Sequence, residues 1–133
     1  MKLSGIELRR ISLPLVAPFR TSFGTETERE ALLLRAVSPD AEGWGECVAG
    51  RAPLYSSEYV DGAEAVLRDH LLPRVFARGE ITAPQVLPVL GEVQGHRMAK
   101  AALEMAVLDA ELRSAGMSFA RSLGAVRDRV DCG

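Results

Sequence analysis

The chain has 133 residues, 47% of them hydrophobic and 26% charged, which suits one soluble globular domain with a real core. A net charge of −2 and an isoelectric point near 5.7, with arginines scattered rather than clustered, exclude an electrostatic case for nucleic acid or an anionic membrane surface. The only cysteines, Cys47 and Cys132, lie far apart and outside metal spacing, as expected of reduced thiols in a cytoplasmic protein.

The start, Met1 to Glu7, carries no apolar signal segment, and no later stretch approaches membrane-spanning length. Residues 3–16 alternate with a phase slip. Ile6 and Leu8 share one parity, Ile11, Leu13 and Leu15 the other, which predicts a bulge at Arg9-Arg10 or two short strands. Pro14 fits an edge strand or a strand end. A polar, glycine-containing loop is expected from Thr21 to Glu30.

Ala31 to Val37 reads as the second strand, ended by the turn residues Ser38-Pro39-Asp40. Trp44 to Val48 reads as the third, closing a hairpin through Gly43-Trp44-Gly45-Glu46, where the glycines free the backbone to turn and Trp44 brings apolar area. Residues 2–49 therefore predict a three-stranded antiparallel meander.

After Tyr55 the period changes. Ser56-Ser57 are expected to cap a helix in which Tyr59, Ala63, Val66 and Leu67 share a face, until Pro73 breaks or kinks it. Thr82-Ala83-Pro84-Gln85 is a capping box with proline in the first turn. The longest helix is expected from His96 to Ala115, with Gly116 as its stop. Its stripe is Met98, Ala102, Met105, Leu108 and Leu112, widened by Leu103, Val107 and Ala110, and implies burial on more than one side. Asp109 and Arg113 stand four apart in the favourable order. Ser118 caps a short helix through Leu123, stopped by Gly124. Strands first and helices after predict an α+β fold, with a helical bundle on one face of the meander.

Motifs for chemistry are sparse. The chain contains no glycine-rich phosphate loop, no Walker loop, no His-Glu-x-x-His and no cysteine pair at metal spacing. His70 and His96 fall near helix ends, as surface or capping residues do. Asp61 and Glu64 fit an exposed helix face better than acid–base catalysis. Glu104 and Asp109 are read as ion-pair partners of Lys100 and Arg113. Phe19 and Phe23, with Arg20, Thr21 and Ser22 between them, either staple a loop to the meander or line an apolar pocket with polar contacts between. Tyr55 is equally double: a packing residue, or a phenol that reaches a ligand.

In order along the chain, Pro14 to Gly24, Gly43-Trp44-Gly45-Glu46-Cys47, Pro53 to Tyr59, Gly95-His96-Arg97-Met98-Ala99-Lys100 and Ala102 to Ala110 together resemble the N-terminal capping domain of the enolase superfamily. The sequence is most similar to the o-succinylbenzoate synthase / N-acylamino acid racemase family. The resemblance implies an enolase N-terminal-like fold lying over the mouth of a (β/α)₈-type barrel. Two loops, about 17–25 and 49–55, are then expected to close over a small-molecule carboxylate substrate. Phe19, Arg20, Thr21, Phe23, Gly50, Arg51 and Tyr55 become the substrate-binding candidates. Gly50-Arg51 departs from the family, which tends to carry a bulky apolar residue there, and implies a roomier or more polar pocket.

The same resemblance implies Mg²⁺-dependent abstraction of a proton alpha to a carboxylate, giving o-succinylbenzoate for menaquinone synthesis, racemised N-acylamino acids, or both. The family's two acid–base lysines and three metal-ligating carboxylates belong to the barrel. Lys2 and Lys100 are the only lysines here, and no Lys-x-Lys occurs. The expected organisation is a capping domain over 1–125 and, over 126–133, the beginning of a first barrel strand, with a barrel of roughly 200 to 250 residues lacking. The chain alone is expected to bind no metal, to contain no catalytic residue and to be inactive. Its expected partners are the barrel domain and, in the full-length protein, further copies of itself. The alternatives are the lid of another superfamily enzyme, such as a dipeptide epimerase or muconate cycloisomerase, or a free-standing interaction module.

Overall fold

Strand β1 (Gly5–Thr21) pairs antiparallel with β2 (Gly24–Val37), and β3 (Glu42–Cys47) adds to the far side of β2, so the sheet order is β1-β2-β3. This is the expected meander, seen in a computed structural model that describes residues 1–22, 24–127 and 129–132.

The phase slip at Arg9-Arg10 has a different cause from a bulge. Pairing runs unbroken from Gly5↔Val37 to Pro14↔Glu28. Ile6 and Leu8 stand opposite Ala36 and Leu34 on the helix side, whereas Ile11 and Leu13 stand opposite Ala31 and Arg29 on the other. The apolar residues change face midway along the strand. On the helix side Arg10 and Ser12 follow, beside Glu30 and Glu28 of β2, because the helical layer ends there and ion pairs replace it. Arg10 Nη2 donates to Glu30 Oε2 at 2.9 Å and the same guanidinium pairs with Asp61, while Ser12 Oγ donates to Glu28 at 3.1 Å. The true irregularity lies further on. Between Pro14↔Glu28 and Phe19↔Glu26, residues 15–18 of β1 face Thr27 alone.

The expected loop Thr21–Glu30 is largely strand, since β2 begins at Gly24. Its residues are polar on both faces, and cross-strand pairs rather than burial hold them in register.

The helices are α1 (Val60–Val66), α2 (Leu72–Ala77), α3 (Ala83–Val89), α4 (Arg97–Ser114) and α5 (Phe119–Ser122). Helix α1 starts later than Ser56-Ser57 would set it. Tyr59 is its N-cap, and Ser56 Oγ instead accepts from Glu58 N–H at 3.2 Å. Pro73 does not end the helix. A π turn, Leu67–Leu71, precedes it, with Leu72 N–H reaching back to Leu67 O, and Pro73 then occupies the first turn of α2, where a missing N–H is harmless. The capping box at Thr82 and Gln85 opens α3, with Thr82 N–H donating to Gln85 Oε1 at 3.1 Å. Helix α4 ends at Gly116 (φ +60°): Met117 N–H bonds Leu112 O at 2.8 Å and Gly116 N–H bonds Arg113 O at 3.1 Å. Ser118 caps α5 as expected, accepting from Arg121 N–H.

Helix α4 buries Ala102, Leu103, Val107 and Ala110 of the expected face and half-buries Met98, Leu108 and Leu112, but it turns Met105 outward, 43% exposed, and takes in Ala99 and Ala106. The reason lies in β3. A Cβ on Gly45 would stand 2.0 Å from Ala102 O, and one on Gly43 would stand 2.1 Å from Ala110 N. The two glycines admit the helix backbone against the strand rather than freeing a turn, and alanines face them. Trp44, on the opposite face, lies under the guanidinium groups of Arg9 and Arg35, at 5.4 and 5.9 Å from the ring centroid. Arg9 foremost, and Arg35 with it, hold the Glu7 carboxyl below the usual range. Trp44 N–H points at the helix and donates to Asp109 Oδ2 at 2.9 Å, an oxygen that also accepts from Arg113 Nε at 2.9 Å. One carboxylate therefore satisfies the sheet edge and pairs along its own helix. Lys100 donates to Val93 O instead of pairing with Glu104.

Leu32, Leu34, Leu67, Leu71, Ile81, Val86, Leu90 and Leu103 fill the core between sheet and helices. Cys47 sits in it, and burial foremost pushes its thiol pKa up. Cys132 is exposed. With Ellman's reagent at pH 8, one thiol is expected to react at once and the second only as fast as the domain opens, because the thiolate is the nucleophile. Two equally fast thiols would contradict this core.

Among the described residues, 125–132 carry no regular structure, and no helix is long and apolar enough to cross a membrane.

Candidate functional site

A groove of about 710 Å³ opens where the far end of the β1–β2 hairpin meets the loop between β3 and α1. Strand alternation puts Phe19 and Thr21 on its hairpin wall, opposite Glu26 and Gly24. Gly50, Arg51 and Tyr55 come from the facing loop. The structure thus brings together five of the seven candidates, from segments about thirty residues apart in the sequence. Arg20, one residue out of phase, does not line the groove. Phe23 lies outside the described residues.

The groove is apolar at its rim, and an ion pair flanks it. Phe19 is 60% exposed, Leu54 71% and Tyr55 82%, so aromatic and aliphatic surface faces outward at the rim. Arg51 Nη1 meets Glu28 Oε1 at 2.9 Å, and Arg29 Nη2 donates to Val48 O at 2.8 Å, so two arginines hold the loop to β2. A Cβ on Gly50 would meet nothing nearer than Ala52 O at 3.7 Å, so the glycine leaves room.

Val48, Glu58 and Met98 also line the groove, and sequence reasoning missed them as site residues. Met98 carried a signal, being apolar at the start of the longest helix, but it was spent on the expected stripe. Glu58 carried none. Its carboxylate accepts from Met98 N–H at 3.0 and 3.2 Å and from Ala99 N–H at 3.4 Å. The N-cap of α4, His96, is left-handed (φ +51°) and offers no side-chain cap, so a carboxylate forty residues away supplies one.

The groove can enclose and orient an organic ligand. Among the described residues no cluster of His, Cys, Asp and Glu could hold a metal ion. The described residues therefore offer no ligand set for Mg²⁺.

Residues 6–124 match the family described as "Mandelate racemase / muconate lactonizing enzyme, N-terminal domain". The chain belongs to this family. Within it, the chain is 67% identical over its whole length to an N-succinylamino acid racemase from an Amycolatopsis species, and 36% identical to an o-succinylbenzoate synthase from Bacillus subtilis. It covers 36% of each of those proteins. Among solved structures, a probable mandelate racemase from Alicyclobacillus acidocaldarius superposes with a TM-score of 0.84 at 39% identity, over 95% of this chain and 35% of that one. The chain thus spans about a third of the length of the relatives it matches, and its fold, meander and then helices, is that of an N-terminal domain of this family.

Proposed function

We propose that the chain is the substrate-capping domain of an enzyme of the o-succinylbenzoate synthase / N-acylamino acid racemase type. The observation that carries this reading is the groove between the two loops. Phe19, Leu54 and Tyr55 offer apolar surface to an acyl or succinyl chain and exclude water from it, while Gly50 leaves space for a larger group. Proton abstraction alpha to the carboxylate, and the divalent metal that assists it, belong to a barrel domain outside these residues. Two further features support a partner domain. None of the residues of α5 is buried, and Phe119, Leu123, Val126 and Val130, in and after it, stand 58%, 68%, 95% and 75% exposed. Identity of 67% to the racemase over every residue favours N-succinylamino acids as substrate.

The test is a chimera of residues 1–133 with the C-terminal two-thirds of the Amycolatopsis racemase. It is expected to racemise N-succinylamino acids, whereas the 133-residue chain with Mg²⁺ shows no turnover. Phe19→Ala and Tyr55→Ala in the chimera should raise KM roughly ten-fold or more, the loss of one or two buried apolar contacts. A folded chimera with no activity on N-succinylamino acids or on the o-succinylbenzoate precursor would overturn the proposal.

A further inference from the structure

Strand β3 ends at Cys47, opposite Leu32, so residues 24–31 of β2 have no neighbour strand on that side. Arg29 lies on this open edge. Its side chain reaches past the end of β3, where Nη2 donates to Val48 O at 2.8 Å.

Four charged side chains line the groove: Glu26, Arg29, Arg51 and Glu58. Two of them are neutralised within the chain. Arg51 pairs with Glu28 at 2.9 Å and stands 3.9 Å from Glu30. Glu58 caps the first turn of α4, at the positive end of the helix. Glu26 is exposed to water and, three residues from Arg29, leaves the strand on the opposite face. Arg29 stands apart. It is half-buried, and among the described residues no carboxylate lies at ion-pair distance from it. A guanidinium carries five N–H donors, and only one of these is spent on Val48 O.

A half-buried cation with no counter-ion becomes costly once a second domain excludes water from the groove. On the reading proposed above, on which this site rests, the substrate supplies the counter-ion. N-succinylamino acids and the o-succinylbenzoate precursor share a succinyl chain that ends in a free carboxylate. We propose that Arg29 is the anion subsite of the groove and takes that terminal carboxylate, with the bond to Val48 O holding its fork in place. Arg29 thereby selects a succinyl chain over an uncharged acyl chain of the same length. Phe19 and Leu54 cover the methylenes and do not tell the two apart. Arg51 cannot serve in its stead without giving up Glu28.

The experiment uses the chimera described above with N-succinylmethionine and N-butanoylmethionine, which ends in a methyl group where the succinyl chain ends in a carboxylate. Arg29→Gln should raise KM for N-succinylmethionine roughly ten-fold or more, the range for a hydrogen bond to a charged group, with kcat nearly unchanged. KM for N-butanoylmethionine should stay within about two-fold. Arg29→Lys, which keeps the charge but loses the fork, should recover part of the selectivity, and it carries the same comparison if Arg29→Gln does not fold. Equal losses on both substrates would reduce Arg29 to a tie between loop and strand and overturn the proposal, as would an unchanged KM for N-succinylmethionine. Either result, in a chimera whose parent is active, leaves the capping-domain reading standing and removes this site alone. A folded parent chimera that turns over neither N-succinylamino acids nor the o-succinylbenzoate precursor removes both.

Discussion

Gly45→Ala is expected to destabilise the domain by about 3 kcal/mol, the upper end of the usual cost of overpacking. The added methyl would stand 2.0 Å from Ala102 O and 2.9 Å from Ala106 N. Both are backbone atoms of α4, so no side chain can swing aside. The helix must lift from the strand, and the contacts of Ala102 and Ala106 loosen together. Lifting also lengthens the bond from Trp44 N–H to Asp109, which leaves a partly buried donor short of its acceptor. Gly43→Ala meets Ala110 N at 2.1 Å and Ala106 O at 2.3 Å, so it should behave alike. The two effects should not add, because once the helix has moved for one methyl the second finds space. Urea unfolding of the two single variants and the double variant measures this. Gly50→Ala is the control, since a Cβ there meets nothing nearer than 3.7 Å, and its change should stay within about 0.5 kcal/mol. Equal losses at Gly45 and Gly50 would show that conformational freedom, rather than close approach, is what the Gly43 to Glu46 segment requires.

Glu58→Ala is expected to cost about 2 kcal/mol, combining loss of a cap with two N–H groups left without their acceptor. Glu58→Gln should cost about half of that, since one oxygen still accepts while the charge beside the helix N-terminus is gone. The signature is local as well as global. Amide exchange at Met98 and Ala99 should accelerate in both variants before the rest of α4 responds, because His96 supplies no side-chain cap in reserve. If Glu58→Ala unfolds at the parent's urea midpoint, the carboxylate contributes nothing to the stability of α4.

How far the sequence was legible follows from how local each cause is. The meander was readable because Leu32, Leu34 and Ala36 alternate with Leu33, Arg35 and Val37, and because Pro39-Asp40 marks the turn. The capping box at Thr82, the glycine stop at Gly116 and the cap at Ser118 were readable for the same reason: donor and acceptor lie within a few residues. The extension of β2 back to Gly24 was hidden, because Thr25 to Glu30 is polar on both faces and only the partner strand makes it a strand. The stripe of α4 was misread at one position, because hydrophobicity favours Met105 over Ala106. The sheet chooses Ala106, since only a small residue fits beside Gly43 and Gly45. In the groove, Phe19 and Tyr55 stood out as loop aromatics. Val48, Glu58 and Met98 did not, because what makes each a wall residue is a contact made across the fold.

The glycine seam also decides what kind of motion this domain permits. Two packed elements normally slide past one another by small side-chain adjustments, the shear motion of many enzymes. Where β3 meets α4 through Gly43 and Gly45, no side chain lies between the two backbones, so a slide along the seam would have to carry Ala102 O and Ala110 N past the strand at contact distance. The seam has one register and no neighbouring minimum. Shear is closed to it, and adaptation to a ligand is left to hinge motion at the loops or to tilting of the domain as a rigid whole.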